Sequence, residues 1–315
     1  MARIAIGKVL HMSPNLKNPL SLLTGAAQTM SAWSKVIESY DAVPEVYKGF
    51  LKPFAGEEQA FPYTIFSPAP DRFPHKTTEK LTCDFNDAIH ILERTGSQVV
   101  AKSYPYQTIR VLEMGNILLY SWITISGVNS EGLASSSTIE YNAASERHFA
   151  VFLNKIRPVP LGADEAGLKV EKDKFDYLSA PNFKFMNYGR SSLVSGEHVI
   201  QIVLQPEIRE PAWRLLGKTF YRTVSPAHLS ILTDKELILI REDERAKEVK
   251  GVRYGGIWQY IPLRCIHSVS LTEPSNDLLT LVISLSPDEI RQQIFEVSRR
   301  PELDEFRDRI QKLTG

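Results

Sequence analysis

The chain has 315 residues, enough for about two domains, and its 43% apolar and 23% charged residues are typical of a folded globular protein. Its 37 Lys and Arg residues equal its 37 Asp and Glu residues, and this neutral balance argues against a basic nucleic-acid-binding domain. Two cysteines, Cys83 and Cys265, are too few for a disulfide-stabilised mini-protein or a four-cysteine zinc site.

No segment of the sequence resembles a targeting signal or a membrane anchor. The apolar stretch near the N-terminus is interrupted at Gly7 and Lys8, so we do not expect a signal peptide. No window of about 20 residues is apolar enough to span a bilayer. The sequence therefore predicts a cytoplasmic protein with reduced thiols and without integral membrane insertion.

Apolar residues recur every three or four positions between Asn18 and Tyr40, which is the spacing of a helix with one apolar stripe. Asn18 is a suitable N-cap, Pro19 suits the first turn, and Pro44 ends the pattern. We expect this stripe to dock on a neighbouring domain or on a second copy of the chain. A membrane-surface helix is disfavoured because Lys35 is the only cation in the stretch.

After Gly56 the pattern changes to the alternation of apolar and polar residues that is typical of β-strands. Met114-Gly115-Asn116 has the composition of a turn between two of these runs. A single helix begins after Asn142 and ends at Pro158. The predicted strands of this first unit are Ala60 to Phe66, Glu79 to Phe85, Ile89 to Arg94, Val99 to Tyr104, Ile109 to Glu113, Ile117 to Ile125 and Ser136 to Tyr141.

Prolines, glycines and a charged run between Pro158 and Asp176 indicate a domain boundary, and the aromatic stretch around Phe185 is predicted to be extended chain. A second series of alternating runs follows and closes with one amphipathic helix, Pro301 to Leu313. The predicted strands of this second unit are His198 to Gln205, Lys218 to Thr223, Leu229 to Leu232, Leu237 to Arg241, Ile257 to Leu263, His267 to Leu271, Leu278 to Leu285 and Ile290 to Val297.

Two blocks of short strands, each followed by one helix, predict a mainly β (α+β) protein. We expect each block to form an antiparallel β-barrel that its C-terminal helix caps at one end. The predicted domains are an N-terminal helical region (residues 1–56), a first barrel (57–158), a linker and extended segment (159–196) and a second barrel (197–315).

This order of strands and helix, repeated in tandem, resembles the pleckstrin-homology superfold. The resemblance covers about two thirds of the chain, Phe61 to Arg157 and Glu197 to Leu313. The second unit looks like the bacterial pleckstrin-homology-like domains. The stretches that carry the resemblance are Ala88 to Arg94, Ile109 to Gly115, Ile117 to Ile125, His228 to Arg241 and Trp258 to Leu263.

The resemblance implies a binding or scaffolding protein, since domains of this superfold mostly present loops and a groove to partners and are rarely catalytic. Neither predicted capping helix contains the Trp that the eukaryotic family usually carries. The loop from Pro206 to Gly217 also lacks the Lys…(Lys/Arg)-x-Arg pattern of phosphoinositide-binding members. The resemblance therefore does not carry over a lipid site.

Cations gather in two loops of the second unit, and an anion or partner site is the functional interpretation of this pattern. The acids around the first group, Glu207 and Glu210, compensate only half of its charge, whereas acids between Arg241 and Arg253 nearly cancel the second. Solvated surface is the simpler interpretation of such mixed-charge loops. The candidate ligand-binding residues are Arg209, Arg214, Lys218, Arg222, Lys250 and Arg253.

The remaining motifs lack the context that their chemistry needs. Ala212 to Thr219 fits a loose phosphate-loop pattern, but bulky residues occupy the loop and a strand follows it, so nucleotide binding is not expected. On a strand Cys265 and His267 would face the same side, and a buried thiol beside a hydrogen-bonded histidine is the expectation. No serine stands in a nucleophile elbow. We expect no catalytic residue, no metal and no cofactor.

The sequence thus favours a non-enzymatic binding or scaffold protein that presents its barrels to a protein or peptide partner or to an anionic ligand. Two alternatives stay open. A small-molecule enzyme would place a deep pocket between the units, with titratable groups from both. A self-assembling protein would use the helix from Asn18 to Tyr40 to dock on a second copy. No nucleic-acid partner is expected.

Overall fold

The computed structural model describes residues 33–56, 59–69, 78–160, 162, 164–215, 218–243, 248–249, 252–253, 255–275 and 277–315. This part of the chain is mainly β, as the sequence predicts, and its strands form several antiparallel sheets. None of its helices is both long enough and apolar enough to cross a membrane.

The first sheet contains five antiparallel strands in chain order. They are β1 (Lys35–Ile37), β2 (Tyr63–Ser67), β3 (Lys80–Phe85), β4 (Ala88–Thr95) and β5 (Gln98–Pro105). Helix α1 (Glu45–Leu51), between 3₁₀ turns at Tyr40–Ala42 and Lys52–Phe54, lies between β1 and β2. Its buried Tyr47 and Leu51 share a cluster with Leu81 and Leu92 and so cover one face of the sheet.

The helix predicted from Asn18 to Tyr40 is wrong in its last part. Residues 18–32 lie outside the described chain, and β1 occupies the following stretch. Val36 and Ile37 pair with Ile65 and Thr64 at the edge of the sheet. Both residues are β-branched, and strand pairing outweighs the helical spacing of their side chains.

A three-stranded meander completes the strands of the first half: β6 (Ile109–Ile117), β7 (Tyr120–Val128) and β8 (Ala134–Asn142). A 3₁₀ segment, Ala143–Phe149, and helix α2 (Ala150–Ile156) follow. Asn142 caps this segment as predicted, because its side-chain oxygen accepts a hydrogen bond from the backbone N–H of Ala144 at 3.0 Å. The closing helix predicted here is therefore present, with its first turns in 3₁₀ form.

The turn predicted at Met114-Gly115-Asn116 is wrong, because the β6–β7 turn lies at Leu118 and Leu119. Gly115 stays inside β6, directly opposite Trp122. A Cβ at this glycine would lie 1.9 Å from the Trp122 ring. The glycine therefore provides room for an indole that covers the strand, and not the backbone freedom of a turn.

Residues 159–196, predicted to be a linker and extended chain, contain two helices, α3 (Glu165–Asp173) and α4 (Ser179–Ser192). The Asp164 carboxylate accepts hydrogen bonds from the backbone N–H groups of Ala166 and Gly167 and so caps α3. Non-helical torsions at Asn182 (φ −161°, ψ 87°) kink α4 just after Pro181. Pro181 lies at the kink, whereas Gly167 and Gly189 lie inside the two helices, so the prediction of extended chain is wrong.

The second half contains four long strands of one sheet, β9 (Val199–Gln205), β12 (His228–Thr233), β13 (Glu236–Glu242) and β16 (Gly256–Pro262). Two ribbons interrupt them, β10 (Ile208–Leu215) with β11 (Lys218–Ser225), and β14 (Glu248–Val249) with β15 (Val252–Arg253). A meander of β17 (Ser268–Ser275), β18 (Leu278–Ser286) and β19 (Glu289–Glu296) precedes helix α5 (Arg300–Thr314). The predicted closing helix is confirmed, with Leu303, Phe306 and Ile310 buried.

The two halves share one seven-stranded sheet in the order β8-β7-β6-β16-β13-β12-β9. The strands β6 and β16 join antiparallel, with Gly256 opposite Asn116 and Tyr260 opposite Leu112. No sheet of the described residues closes into a barrel, so the expectation of two closed barrels is wrong. The edges of β6 and β16 satisfy their backbone hydrogen bonds with each other, which removes the need for each half to close on itself.

Two hydrophobic clusters lie on opposite faces of the shared sheet. The first joins inward residues of both halves, such as Leu112, Ile139 and Ile240, with aromatic residues of the helical segments, such as Phe152 and Phe185. The second joins the sheet to the β17–β19 meander and to α5. The shared sheet is thus the central layer of the described fold.

Candidate functional site

The strands β10 and β11 form a ribbon that pairs with no other strand in the described chain. Pro211 stands opposite Tyr221, and Trp213 stands opposite Phe220, so Ala212 is an extra residue on β10. Such a bulge shifts the alternation of side chains by one position. Without it, Trp213 would share a face with Tyr221 and not with Phe220.

The bulge produces an exposed aromatic stack. The rings of Trp213 and Phe220 lie parallel, with centroids 3.9 Å apart and an interplanar angle of 8°. These side chains are 53% and 41% exposed, and Tyr221 on the opposite face is 62% exposed. Large aromatic side chains that gather in solvent on a projecting element are characteristic of an interaction surface.

Four of the six predicted site cations lie on this ribbon, and two of these are neutralised near its base. Arg209 forms an ion pair with Glu207. Nη2 of Arg222 lies 3.1 Å from Oε2 of Glu210, directly across the ribbon. Because these two pairs cancel the positive charge near the base, the surplus of positive charge lies elsewhere on the ribbon.

The other two cations, Arg214 and Lys218, lie towards the tip. Nε of Arg214 donates a hydrogen bond to Oγ1 of Thr219 at 3.1 Å. Within the described residues, neither cation lies at salt-bridge distance from a carboxylate. Lys218 and Thr219 begin a strand, so the phosphate-loop pattern lacks the helix that nucleotide binding requires.

The second predicted group of cations lies only partly within the described residues. Lys250 lies outside the described residues. The backbone of Arg253 pairs with that of Glu248 in the β14–β15 ribbon. A common rim formed by both groups therefore stays a prediction.

Sequence reasoning missed the aromatic residues of the ribbon, because Pro206, Pro211 and Gly217 made β10 look like a loop. The alternation from Thr219 to Val224 identified β11. Because a strand needs a neighbour to pair with, the need for a partner beside β11 was the signal that could have identified β10. Pro211 is tolerated because it lies beside the bulge of an isolated ribbon.

Cys265 and His267 do not face one side of a strand as expected, because Leu263–Cys265 forms a 3₁₀ turn. The thiol lies 3.8 Å from the carbonyl oxygen of Ile109, and burial raises the pKa of Cys265. His267 is exposed. Among the described residues no three His, Cys, Asp or Glu side chains gather as a metal site would require.

A buried charged cluster links the halves where α2 meets the shared sheet. Nε of Arg157 donates to Oε1 of Glu236 at 2.9 Å, and Nη2 donates to the same oxygen and to the carbonyl oxygen of Ser192, the latter at 2.8 Å. The guanidinium stacks over the ring of Tyr260 at 3.8 Å and lies 3.4 Å from Oε1 of Glu197. Nothing local in the sequence connects these residues, so sequence reasoning missed them.

The electrostatics of this cluster favour one neutral carboxyl group. Burial lowers the pKa of the Arg157 guanidinium, but the carboxylates of Glu236 and Glu197 outweigh burial and raise it. Burial and the nearby Glu236 raise the pKa of Glu197 well above its usual value. The cluster thus places two carboxyl groups against one guanidinium, which favours the protonated form of Glu197.

A cavity of about 280 Å³ lies beside this cluster at the join of β6 and β16. Residues of both halves line it, including Tyr141 and Glu146 from the first and Trp258 and Tyr260 from the second. Burial raises the pKa values of Tyr141, Glu146 and Tyr260. No hydrogen bond connects any two of these three groups in the described structure, so no acid–base pair is preformed.

No family model matches the chain, and no curated protein matches it.

Proposed function

We propose that this chain is a non-enzymatic binding protein with two pleckstrin-homology-like units, and that it docks on an anionic membrane surface through the β10–β11 ribbon. The order of an antiparallel sheet, a three-stranded meander and a helix in each half supports the family assignment. The observation that carries the docking is the exposed stack of Trp213 and Phe220 next to Arg214 and Lys218, two cations with no carboxylate at salt-bridge distance among the described residues.

An interfacial occupant is favoured because the ribbon bears aromatic rings on both faces. Trp213 and Phe220 lie on one face and Tyr221 on the other. A lipid headgroup layer surrounds an inserted tip on all sides and can cover both faces, whereas a protein groove covers one. Tryptophan and tyrosine rings favour this layer, since one end of each ring system is polar and the rest is apolar.

The charges set the expected preference for anionic lipid. Each Lys or Arg near an anionic leaflet contributes about 1 kcal/mol. Arg214 and Lys218 together should contribute about 2 kcal/mol, or roughly a 30-fold gain in affinity over a neutral surface. The gain should decline as salt screens the surface potential.

The test is cosedimentation of the full chain with vesicles of phosphatidylcholine, alone or with about 30% phosphatidylserine. We expect binding to the mixed vesicles only, and a loss of roughly tenfold or more in the Arg214→Gln/Lys218→Gln variant. The matched control is Lys169→Gln/Lys312→Gln, which removes two exposed cations elsewhere. Trp213→Ala should weaken binding without changing its salt dependence.

Equal loss in the control and ribbon variants would show that net charge acts, and not the ribbon. Failure of the wild-type chain to sediment with anionic vesicles, together with saturable binding to polyglutamate, would replace the membrane by an acidic polypeptide. Absence of both would end the docking proposal.

The enzyme alternative rests on the cavity, which does hold titratable groups from both halves. Binding of a ligand is the better supported use of that cavity, because none of its titratable groups is hydrogen-bonded to another within the described chain. Self-assembly through Asn18 to Tyr40 stays a prediction, since most of that segment lies outside the described residues.

A further inference from the structure

The cavity at the β6–β16 join has walls that are fixed before any ligand arrives. The edge of Tyr188 packs on Trp258, with ring centroids 4.7 Å apart and planes at 61°. Arg157 stacks on Tyr260, and this guanidinium is itself held by Glu236. Neighbours outside the cavity therefore hold two of its aromatic rings in place. Because these rings are already ordered, little side-chain entropy would be lost when a ligand binds.

Two polar side chains of the cavity keep free hydrogen-bond acceptors. Nδ2 of Asn116 donates to Oγ of Ser121 at 2.9 Å, which leaves the Asn116 amide oxygen as an acceptor. The hydroxyl of Ser191 donates to the carbonyl oxygen of Tyr188 at 3.0 Å, which leaves its lone pairs. A ligand that donates hydrogen bonds can pair with these two acceptors.

Glu146 is the one acidic side chain among the described residues that line the cavity. Glu146 has no ion-pair or hydrogen-bond partner within the described chain; the residue is exposed, and partial burial of its carboxyl group raises its pKa. Arg157 stacks on Tyr260 of the cavity wall, and this guanidinium is paired with the carboxylate of Glu236. No Lys, Arg or His of the described chain lines the cavity.

We infer that the cavity binds a small organic ammonium ion between the rings of Trp258, Tyr260 and Tyr141, with Glu146 as its counter-ion. Aromatic faces attract a cation, and a carboxylate at the mouth adds a charged hydrogen bond. The ammonium N–H groups donate to the free acceptors of Asn116 and Ser191. An anion would meet the Glu146 carboxyl group and, among the described residues, no Lys, Arg or His in the lining.

The test compares phenethylamine with phenethyl alcohol, which has a similar shape and no charge, by calorimetric titration of the full chain. We expect saturable binding of the amine and binding of the alcohol that is at least tenfold weaker. Glu146→Gln should weaken amine binding roughly five- to tenfold and leave alcohol binding unchanged. The matched control is Glu131→Gln, which removes a carboxylate from the exposed β7–β8 turn.

A second variant keeps the test decisive. Ser191→Ala removes one acceptor from an exposed side chain and should weaken amine binding severalfold. Equal affinity for amine and alcohol, or unchanged amine binding in Glu146→Gln, would overturn the inference, as would absence of amine binding up to about 10 mM. The Arg214→Gln/Lys218→Gln variant should bind the amine like the wild type, which separates this site from the membrane proposal.

Discussion

His228 gives the sharpest prediction about stability. Its ring is buried in the shared sheet, edge-on to Phe295 with centroids 4.7 Å apart. Nδ1 lies 3.1 Å from the carbonyl oxygen of Pro226, so this nitrogen carries the proton of the neutral ring. Nε2 is buried and has no partner in the described structure. A second proton would therefore be placed on a nitrogen that nothing solvates.

The pH dependence follows from two pKa values. A histidine in an unfolded chain has a pKa of about 6.5, and burial lowers the pKa of His228 to about 4. Between these values the unfolded chain holds a proton that the folded chain lacks, so the free energy of unfolding falls as the pH falls. The slope is about 1.4 kcal/mol per pH unit, and the total loss is about 3 kcal/mol. The contribution is fully present above pH 6.5 and is lost as the pH falls through 4.

The assay is urea unfolding, followed by far-ultraviolet circular dichroism at a series of pH values from about 4 to 7. His228→Asn keeps a donor for the Pro226 carbonyl and removes the titration. The variant should be less stable at neutral pH, because a ring is lost from the core, and its stability should depend less on pH by about 1 kcal/mol per unit. Other buried groups, such as Glu197, titrate in both proteins and cancel in the difference. His267→Asn, at an exposed site, is the control. Parallel pH curves for wild type and His228→Asn would refute the reasoning.

Two further predictions concern the join between the halves. Gly115→Ala should destabilise the chain by about 2–3 kcal/mol in urea unfolding, because the new Cβ would meet the Trp122 ring; Gly49→Ala, which has open space around it, should be neutral or stabilising. Arg157→Met should cost about 3–5 kcal/mol in the same assay, since it leaves the buried Glu236 without its cation, and adding Glu236→Gln should restore part of the loss. A double variant less stable than Arg157→Met would contradict this account.

Strands with strong local patterns were predictable from the sequence. The centre of β13, Leu237 to Ile240, is a continuous apolar run, β12 contributes Leu229, Ile231 and Leu232, and a Thr-Asp turn separates the two strands; both faces of the two strands are buried over these residues. Helix α5 was predictable from its proline at the first turn and its apolar stripe. In each case the residues that decide the structure are neighbours along the chain.

Features that depend on distant partners were not predictable. The pairing of β6 with β16 joins residues such as Met114 and Trp258, and neither strand carries a local sign of its partner. The same limit applies to Arg157 and Glu236, whose contact exists only once α2 lies against the shared sheet. The charge of Arg214 and Lys218 was visible in the sequence, but the aromatic stack beside them depends on a bulge that only the register reveals.

The two proposed sites lie on different parts of the fold, so variants of one site can be tested without changing the other. The cavity lies where β6 and β16 join, so its walls come from both halves, and the Arg157–Glu236 contact holds α2 and β13 in place beside it. The β10–β11 ribbon belongs to the second half alone, and its strands pair only with each other within the described fold. A change that weakens the join should therefore impair ammonium binding first and leave vesicle binding intact. A change at the ribbon tip should impair vesicle binding and leave ammonium binding intact, because no residue of the ribbon lines the cavity.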